Sequence, residues 1–237
     1  SVAGETLAAA LADIDRRVIG GWCEMYGEQH ANYGAACTDF ETAPAPAHFE
    51  VSFGLEQASD DPLSTVEPLV ITDGEITVRI GGRIDRIDLA RRQGREVFNV
   101  IDYKTGYVPT AKKLREFHAT SLQLDIYTTV VEDLLLSQRE AVPWNAGYWQ
   151  VRKRGFHQPL TLAVEDDAQI VRSSEWETRR NKLREAVLAL VRAVRTGHFP
   201  MSNEDEDCTS RCPFRTVCRV HQVRALDKKW SPTQPID

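Results

Sequence analysis

The sequence predicts an α/β fold: a central mixed β-sheet flanked by helices, with a C-terminal segment crowded by cysteines. Three observations lead there. Runs that alternate with period two gather between residues 48 and 103, helix-period patterns lie on either side of them, and three of the five cysteines fall at Cys208, Cys212 and Cys218. A helix, a meander of strands, then helix, strand and helix make a sheet that buries its faces against helices.

Residues 5–26 read as an amphipathic helix, with Leu7, Leu11, Ile14, Val18 and Trp22 at three- and four-residue steps. Residues 34–47 are small, polar and proline-bearing, and predict a loop. Residues 48–55 alternate Phe49, Val51 and Phe53 against His48, Glu50 and Ser52, as a strand does. Asp60-Asp61-Pro62 marks a loop. Residues 75–80 form a β-branched run punctuated by Gly81-Gly82, residues 83–89 alternate, and residues 97–103 are a hydrophobic run ending in Lys104-Thr105-Gly106. Between the last two runs, residues 91–95 with Gly94 predict a hairpin turn. Helix period returns over residues 121–136, a strand follows over residues 145–151, and residues 169–196 predict a long helix with Leu183, Val187, Leu190, Val191 and Val194 as its apolar stripe. Gly197 stops it. No internal repeat is visible.

At 237 residues, 42% hydrophobic and 27% charged, the chain is neither collagen-like, low-complexity nor largely disordered. It is expected to form one domain: an N-terminal helical part (1–48), a core (49–196), a cysteine segment (197–224) and a tail (225–237). No run approaches the roughly 20 apolar residues of a membrane span. Residues 1–17 lack the order of a signal peptide and Ser1 is no initiator Met, so a cytoplasmic protein, or a fragment of a longer one, is expected. The net charge of −6 argues mildly against a protein that coats nucleic acid.

The chemistry gathers in Gly82-Arg83-Ile84-Asp85-Arg86-Ile87-Asp88 and Ile101-Asp102-Tyr103-Lys104-Thr105-Gly106. Residues two apart in a strand share a face, so Asp102 and Lys104 project together while Ile101 and Tyr103 point the other way. A hairpin over residues 91–95 brings Asp85 near Asp102. Converging carboxylates share a proton or a divalent cation, and hard oxygen ligands favour Mg²⁺ or Mn²⁺. A lysine beside that metal can position a water and neutralise charge growing on a phosphate. Taken alone, an Asp-x-Lys at a strand end is as readily a surface salt bridge. The ordered set is more specific, because Gln123 and Tyr127 follow on one helix face at a four-residue step.

Gly82 to Asp88, Asp102-Tyr-Lys-Thr-Gly106 and Gln123-Leu-Asp-Ile-Tyr127, in that order, resemble the nuclease domain of the PD-(D/E)xK superfamily, and among its members the RecB-like and AddB-like nucleases of double-strand-break repair. The resemblance extends from about residue 50 to residue 219. It implies a restriction-endonuclease-like sheet and a metal-dependent deoxyribonuclease, an exonuclease on single-stranded ends working beside a helicase. Asp85, Asp102 and the main-chain carbonyl of Tyr103 would bind the metal. Lys104 would be the catalytic lysine, and Gln123 and Tyr127 would support the site. Asp88, on the other face of its strand, takes a structural role. The literal Pro-Asp is replaced by Ile84-Asp85. Relatives carry a further His or Glu on an early helix, for which His30, His48 and Glu50 are candidates unless it precedes Ser1. The alternative is a catalytically silent nuclease-fold scaffold that binds DNA or a partner protein, which retention of both acids and the lysine disfavours.

Cys208, Cys212 and Cys218 are open to three readings: a disulfide with a spare thiol, a zinc site completed by His221 or His198, or an iron–sulfur cluster. The AddB-like resemblance, which extends to Gly197-His-Phe-Pro200 and Cys212-Pro-Phe, implies a 4Fe–4S cluster with zinc as the rival. Here three residues separate the first cysteine pair, where the family more often has two. The fourth ligand would be Cys23, favoured for its place on a helix, or Cys37, or a cysteine before Ser1. Lys112, Lys113 and Arg115, and Arg152, Lys153 and Arg154, flank the acidic pair in sequence as a DNA groove would, while Arg211, Arg215 and Arg219 interleave with the cysteines. Tyr107, Tyr148 and Trp149 are candidates to stack bases, with core burial the expected fate of the last two. The chain holds no phosphate-binding Gly-x₄-Gly-Lys-Ser/Thr loop, so it brings no motor.

Overall fold

The computed structural model describes residues 2–118, 122–153, 155–157 and 159–198. A 34-residue helix α1 (Val2–Ala35) leads to the strands β1 (Thr42–Phe53), β2 (Leu69–Asp73), β3 (Ile76–Ile80), β4 (Gly82–Arg92) and β5 (Arg95–Lys104). Helices α2 (Ala111–Arg115) and α3 (Gln123–Val130) follow, and α3 runs into a π turn (Val131–Leu135). Strands β6 (Val142–Gln150), β7 (Gly155–Phe156), β8 (Leu160–Thr161), β9 (Ala163–Asp166) and β10 (Gln169–Arg172) precede helix α4 (Ser174–Arg195).

The main sheet has the order β1-β4-β5-β6-β7, with β8 also on β6. β4 is antiparallel to both β1 and β5, β5 and β6 are parallel, and β7 and β8 are antiparallel to β6. The sheet is therefore mixed, as expected, with α2 and α3 forming the crossover that a parallel pair requires. Gln93 and Gly94 both have positive φ (49° and 72°), the two-residue turn whose twist matches a hairpin. One face of the sheet packs Val51, Phe53, Ile87, Phe98 and Val100 with Leu124 and Val130 of α3 and Trp176, Leu183 and Val187 of α4 in a single core.

On the opposite face, Gln29 of α1 accepts a hydrogen bond from Trp149 Nε1 (2.8 Å) and donates to the carbonyls of Gln150 and Val151. Here Arg86 and Asp88, both fully buried, form a paired contact at 2.5 and 2.6 Å. The guanidinium lies 4.7 Å from the Trp149 ring centre and donates to Tyr26 Oη (2.9 Å) and Tyr103 Oη (3.3 Å).

Three elements differ from the sequence expectation. β1 begins at Thr42, inside the segment read as a loop; it pairs only with β4, and an edge strand tolerates Pro44 and Pro46, its register shifting around them. Within it Glu50 takes φ +49°, so Phe49 is exposed while Val51 and Phe53 are buried. Residues 169–172 are β10, paired with β9 across Asp167-Ala168, both at positive φ; the helix begins only after Ser173, whose Oγ caps Trp176 N at 3.1 Å. α1 continues nine residues past position 26, and its Leu7, Leu11, Ile14 and Val18 are exposed. Gly197, at φ +69°, ends α4 as read.

Asp88→Ala would strand the Arg86 charge in a dry interior. We expect a loss of about 3–5 kcal/mol, seen as a lower urea midpoint with unchanged slope; a change under about 1 kcal/mol would show that the pair behaves as an exposed one.

Candidate metal and catalytic site

The antiparallel ladder between β4 and β5 runs from the turn to Arg86 opposite Ile101 and stops there. One step on, Tyr103 N donates to Asp85 Oδ2 at 2.9 Å instead of to a strand carbonyl. A strand residue's N–H and C=O project toward the same neighbour, so the Tyr103 carbonyl also faces the Asp85 side. Asp102 and Lys104 project to the α3 side of β5, and Tyr103 to the α1 side, where its hydroxyl meets Tyr26 Oη at 3.2 Å. Burial is the main reason that the Tyr103 phenol is pushed up to about 12.

Asp102 is 2% exposed. Gln123 Nε2 donates to its Oδ1 at 2.6 Å, and the Lys104 ammonium stands 2.6 Å from its Oδ2. That Oδ2 is buried, and the Lys104 ammonium is its charged partner. Burial raises the Asp102 carboxyl above the usual range, with the Asp85 charge adding, against the pull of Lys104 and Gln123. For Lys104 burial works against the charged form, yet Asp102, Tyr148 and Asp85 together hold the ammonium above its usual value. Tyr148, directly beside Asp102 on the parallel strand β6, places its ring 5.5 Å from Lys104 Nζ.

Helix α3 delivers Gln123 and Tyr127 one turn apart, with Gln123 Nε2 also 3.3 Å from Tyr127 Oη. The Tyr127 ring packs edge-on to Phe53 (6.2 Å, 86°). A Cβ on Gly82 would lie 3.1 Å from the Phe53 ring and 3.5 Å from that of Tyr127. The glycine of the first motif is thus the seat that lets α3 approach β4. Asp125 and Glu132 explain the orientation of α3. Asp125 is bound at 2.7 and 2.9 Å by Arg179, and Glu132 accepts from Arg172, Arg180 and the Trp176 indole, so two buried acids clamp α3 to β10 and α4. These partners sit more than 35 residues apart, and no local sequence pattern announces them. An acid on an otherwise apolar helix face is the signal that could have.

The remaining sequence candidates lie apart. His30 packs against Trp149, on the sheet face opposite Asp102, and its buried Nε2 has no hydrogen-bond partner among the described residues. His48 Nδ1 is 3.0 Å from Asp61 Oδ1. Glu50 stands beside Asp85 in register, between the pairs Phe49–Arg86 and Val51–Ile84, but its carboxylate is 3.6 Å from Arg83. Among the described residues no three His, Cys, Asp or Glu side chains gather closely enough to hold a metal. Cys23 is exposed on α1, and the half-buried Cys37 Sγ donates to Tyr33 O at 3.4 Å. Cys208, Cys212, Cys218, His221, Arg154, Arg211, Arg215 and Arg219 lie outside the described residues. Tyr107 is exposed, and Tyr148 and Trp149 are buried. Among the described residues no helix is long and apolar enough to cross a membrane.

The family model described as the PD-(D/E)XK nuclease superfamily matches residues 9–219, nearly the whole chain. The chain belongs to the PD-(D/E)XK nuclease superfamily. The mixed sheet flanked by helices has the restriction-endonuclease-like arrangement of that superfamily. Relatives named as a subunit of an ATP-dependent helicase/deoxyribonuclease include those of Staphylococcus carnosus (36% identical over 87 residues, 36% of this chain and 7% of the relative) and Moorella thermoacetica (36% over 111 residues, 45% and 9%). The same name belongs to a relative in Desulforamulus reducens (39% over 77 residues, 32% and 7%). The matched stretch is less than a tenth of the length of these relatives. They bear out the AddB-like resemblance.

A carboxyl whose pKa is raised by folding favours the native state below its unfolded value, and that benefit is lost as pH rises through the folded value. At neutral pH the Asp102–Asp85 repulsion therefore weakens the metal-free protein. Asp85→Asn can still accept from Tyr103 N while removing the like charge. It should be as stable as the parent below the unfolded carboxyl value of about pH 3.9 and more stable at neutral pH and above, by up to about 1 kcal/mol, in urea titrations with EDTA; equal stability throughout would show that the two carboxylates do not interact.

Proposed function

We propose that this chain is a DNA nuclease domain that hydrolyses phosphodiester bonds with Mg²⁺ or Mn²⁺. The observation that carries the reading is the convergence of Asp85, Asp102 and Lys104 at the splayed end of the β4–β5 ladder. The residues fit such a cation. The donors are hard oxygens, two carboxylates and the Tyr103 carbonyl, and Asp102 Oδ2 is a buried oxygen facing the Lys104 ammonium. A bound divalent cation would polarise the phosphate and lower the pKa of a water.

The chain's own groups have separate tasks. Asp85 and Asp102 hold the cation, and Gln123 fixes the Asp102 carboxylate by its bond to Oδ1. Lys104, its ammonium held charged, orients the attacking water and faces the charge that develops on the phosphate. Tyr127 steadies Gln123. Lys112 and Lys113 of α2, and Arg152 and Lys153 beyond β6, draw the DNA backbone toward the site. The relatives' name joins a helicase to a deoxyribonuclease, which supports a helicase partner; by the AddB-like resemblance the domain acts in double-strand-break repair, as an exonuclease on single-stranded ends.

Lys104→Ala and Asp102→Ala should each slow cleavage of single-stranded DNA by about 10²–10³-fold at a temperature where circular dichroism shows each variant folded, and EDTA should abolish it. Cleavage by either variant at the parental rate would overturn the assignment.

The second part of the proposal is a structural 4Fe–4S cluster on Cys208, Cys212, Cys218 and Cys23, tying the C-terminal segment to α1. The exposure of Cys23 supports its availability to a distant segment. Protein purified without oxygen should be brown, with broad visible absorbance lost in Cys212→Ser. A colourless preparation containing zinc would put zinc there instead.

A further inference from the structure

A cavity of about 290 Å³ opens beside the site and is lined by Tyr148, whose ring lies 5.5 Å from Lys104 Nζ. Its wall includes Leu124, the residue next to Gln123, and its mouth is formed by Tyr107 and Lys113. Asp125 and Arg179 also line it, but they are already bound to each other at 2.7 and 2.9 Å. Glu116 and His118, 3.6 Å apart, line it as well, so the cavity has aromatic and apolar walls, two acids that each face a basic partner, and the cation Lys113 at its rim.

This composition selects its occupant. A phosphate inside would face the Asp125 carboxylate, and the Arg179 guanidinium is committed to Asp125 and to the carbonyls of Leu114 and Arg115 (3.3 and 3.0 Å). A flat, uncharged group with two π faces suits the walls, and an anion attached to it would lie at the rim near Lys113. A nucleotide has that shape. Tyr107, 73% exposed, is a large aromatic left in water at the mouth, where it can close over a base. The two bonds from Arg179 to the end of α2 hold the rim in place before anything binds.

We propose that this cavity receives the base of the nucleotide adjoining the scissile phosphate, stacked between Tyr107 and the Tyr148 side, so that the domain grips one unpaired base while it cuts. The proposal rests on the nuclease reading above and adds to it a base-binding subsite. Because Tyr148 is shared, a base seated there would lie one side chain from the lysine, the separation expected of a base and its own phosphate. A base held in this way has left any duplex, which makes the subsite a selector for single strands.

The test uses the full chain with Mg²⁺ and a series of short oligothymidylates, each with one abasic nucleotide at a different position. Loss of the base at one position beside the cut should lower kcat/KM about tenfold. Tyr107→Ala should slow cleavage of the intact strand about tenfold and leave the abasic strand unaffected. A flat response across all positions, or Tyr107→Ala slowing both strands equally, overturns the subsite while the nuclease reading stands. If the parent cuts no DNA, the nuclease reading falls and binding in EDTA decides the subsite alone. There, anisotropy of labelled oligothymidylate about tenfold weaker for Tyr107→Ala supports it, and equal affinity overturns it.

Discussion

Asp102 places a carboxylate almost out of water and within the field of a second one, Asp85, and a charge in that position must be balanced locally. Lys104 supplies the charge and Gln123 the hydrogen bond. Each of these requires something further. Lys104 reaches Asp102 only because period two puts both on one face of β5. Gln123 reaches it only because α3 lies close against β4, which Gly82 permits and the buried pairs Asp125–Arg179 and Glu132–Arg180 enforce. The position of α4, more than 70 residues later in the chain, is thus part of what keeps one carboxylate oxygen on Gln123 and the other facing the Lys104 ammonium.

The opposite face of the sheet shows the same economy with different groups. Arg86 and Asp88 neutralise each other, and the ring systems of Trp149, Tyr26 and Tyr103 enclose them. Tyr103 is the residue between the two site residues of β5, so its ring is fixed on one face while its backbone faces Asp85 on the edge. The strand is held from both sides, and this limits how far Asp102 and Lys104 can shift.

What could be read from sequence was what local pattern encodes. Gly94 with alternating flanks identified the β4–β5 hairpin, and the two-residue step of Asp102 and Lys104 identified their shared face. Pro44 and Pro46 concealed the start of β1, because a proline is compatible with a strand only if that strand is an edge, and edge position is a property of the whole sheet. Ile170 and Val171 were absorbed into the following helix because four residues are too few to separate the two periods. The role of Gly82 and the clamps on α3 were invisible for a related reason: their partners are brought up by the tertiary fold. The same holds for Glu50, whose sequence gives no sign that it lies next to Asp85 but turned to Arg83.

The two-residue turn at Gln93-Gly94 also bears on the order in which the molecule can be assembled. Closing a short loop costs the chain little entropy, and contacts within one hairpin are the most local a sheet can make. Asp85 and Asp102, 17 residues apart, belong to that hairpin, whereas Gln29 meets Gln150 across 121 residues and Arg179 meets Asp125 across 54. The repelling carboxylates are therefore brought together by a local closure, and Gln123 and the groups that position it come from longer ones. Between these events the nascent hairpin carries two carboxylates at one end, with Lys104 on the same strand face as Asp102. Free divalent cation at that stage would act on the folding rate as well as on the finished site.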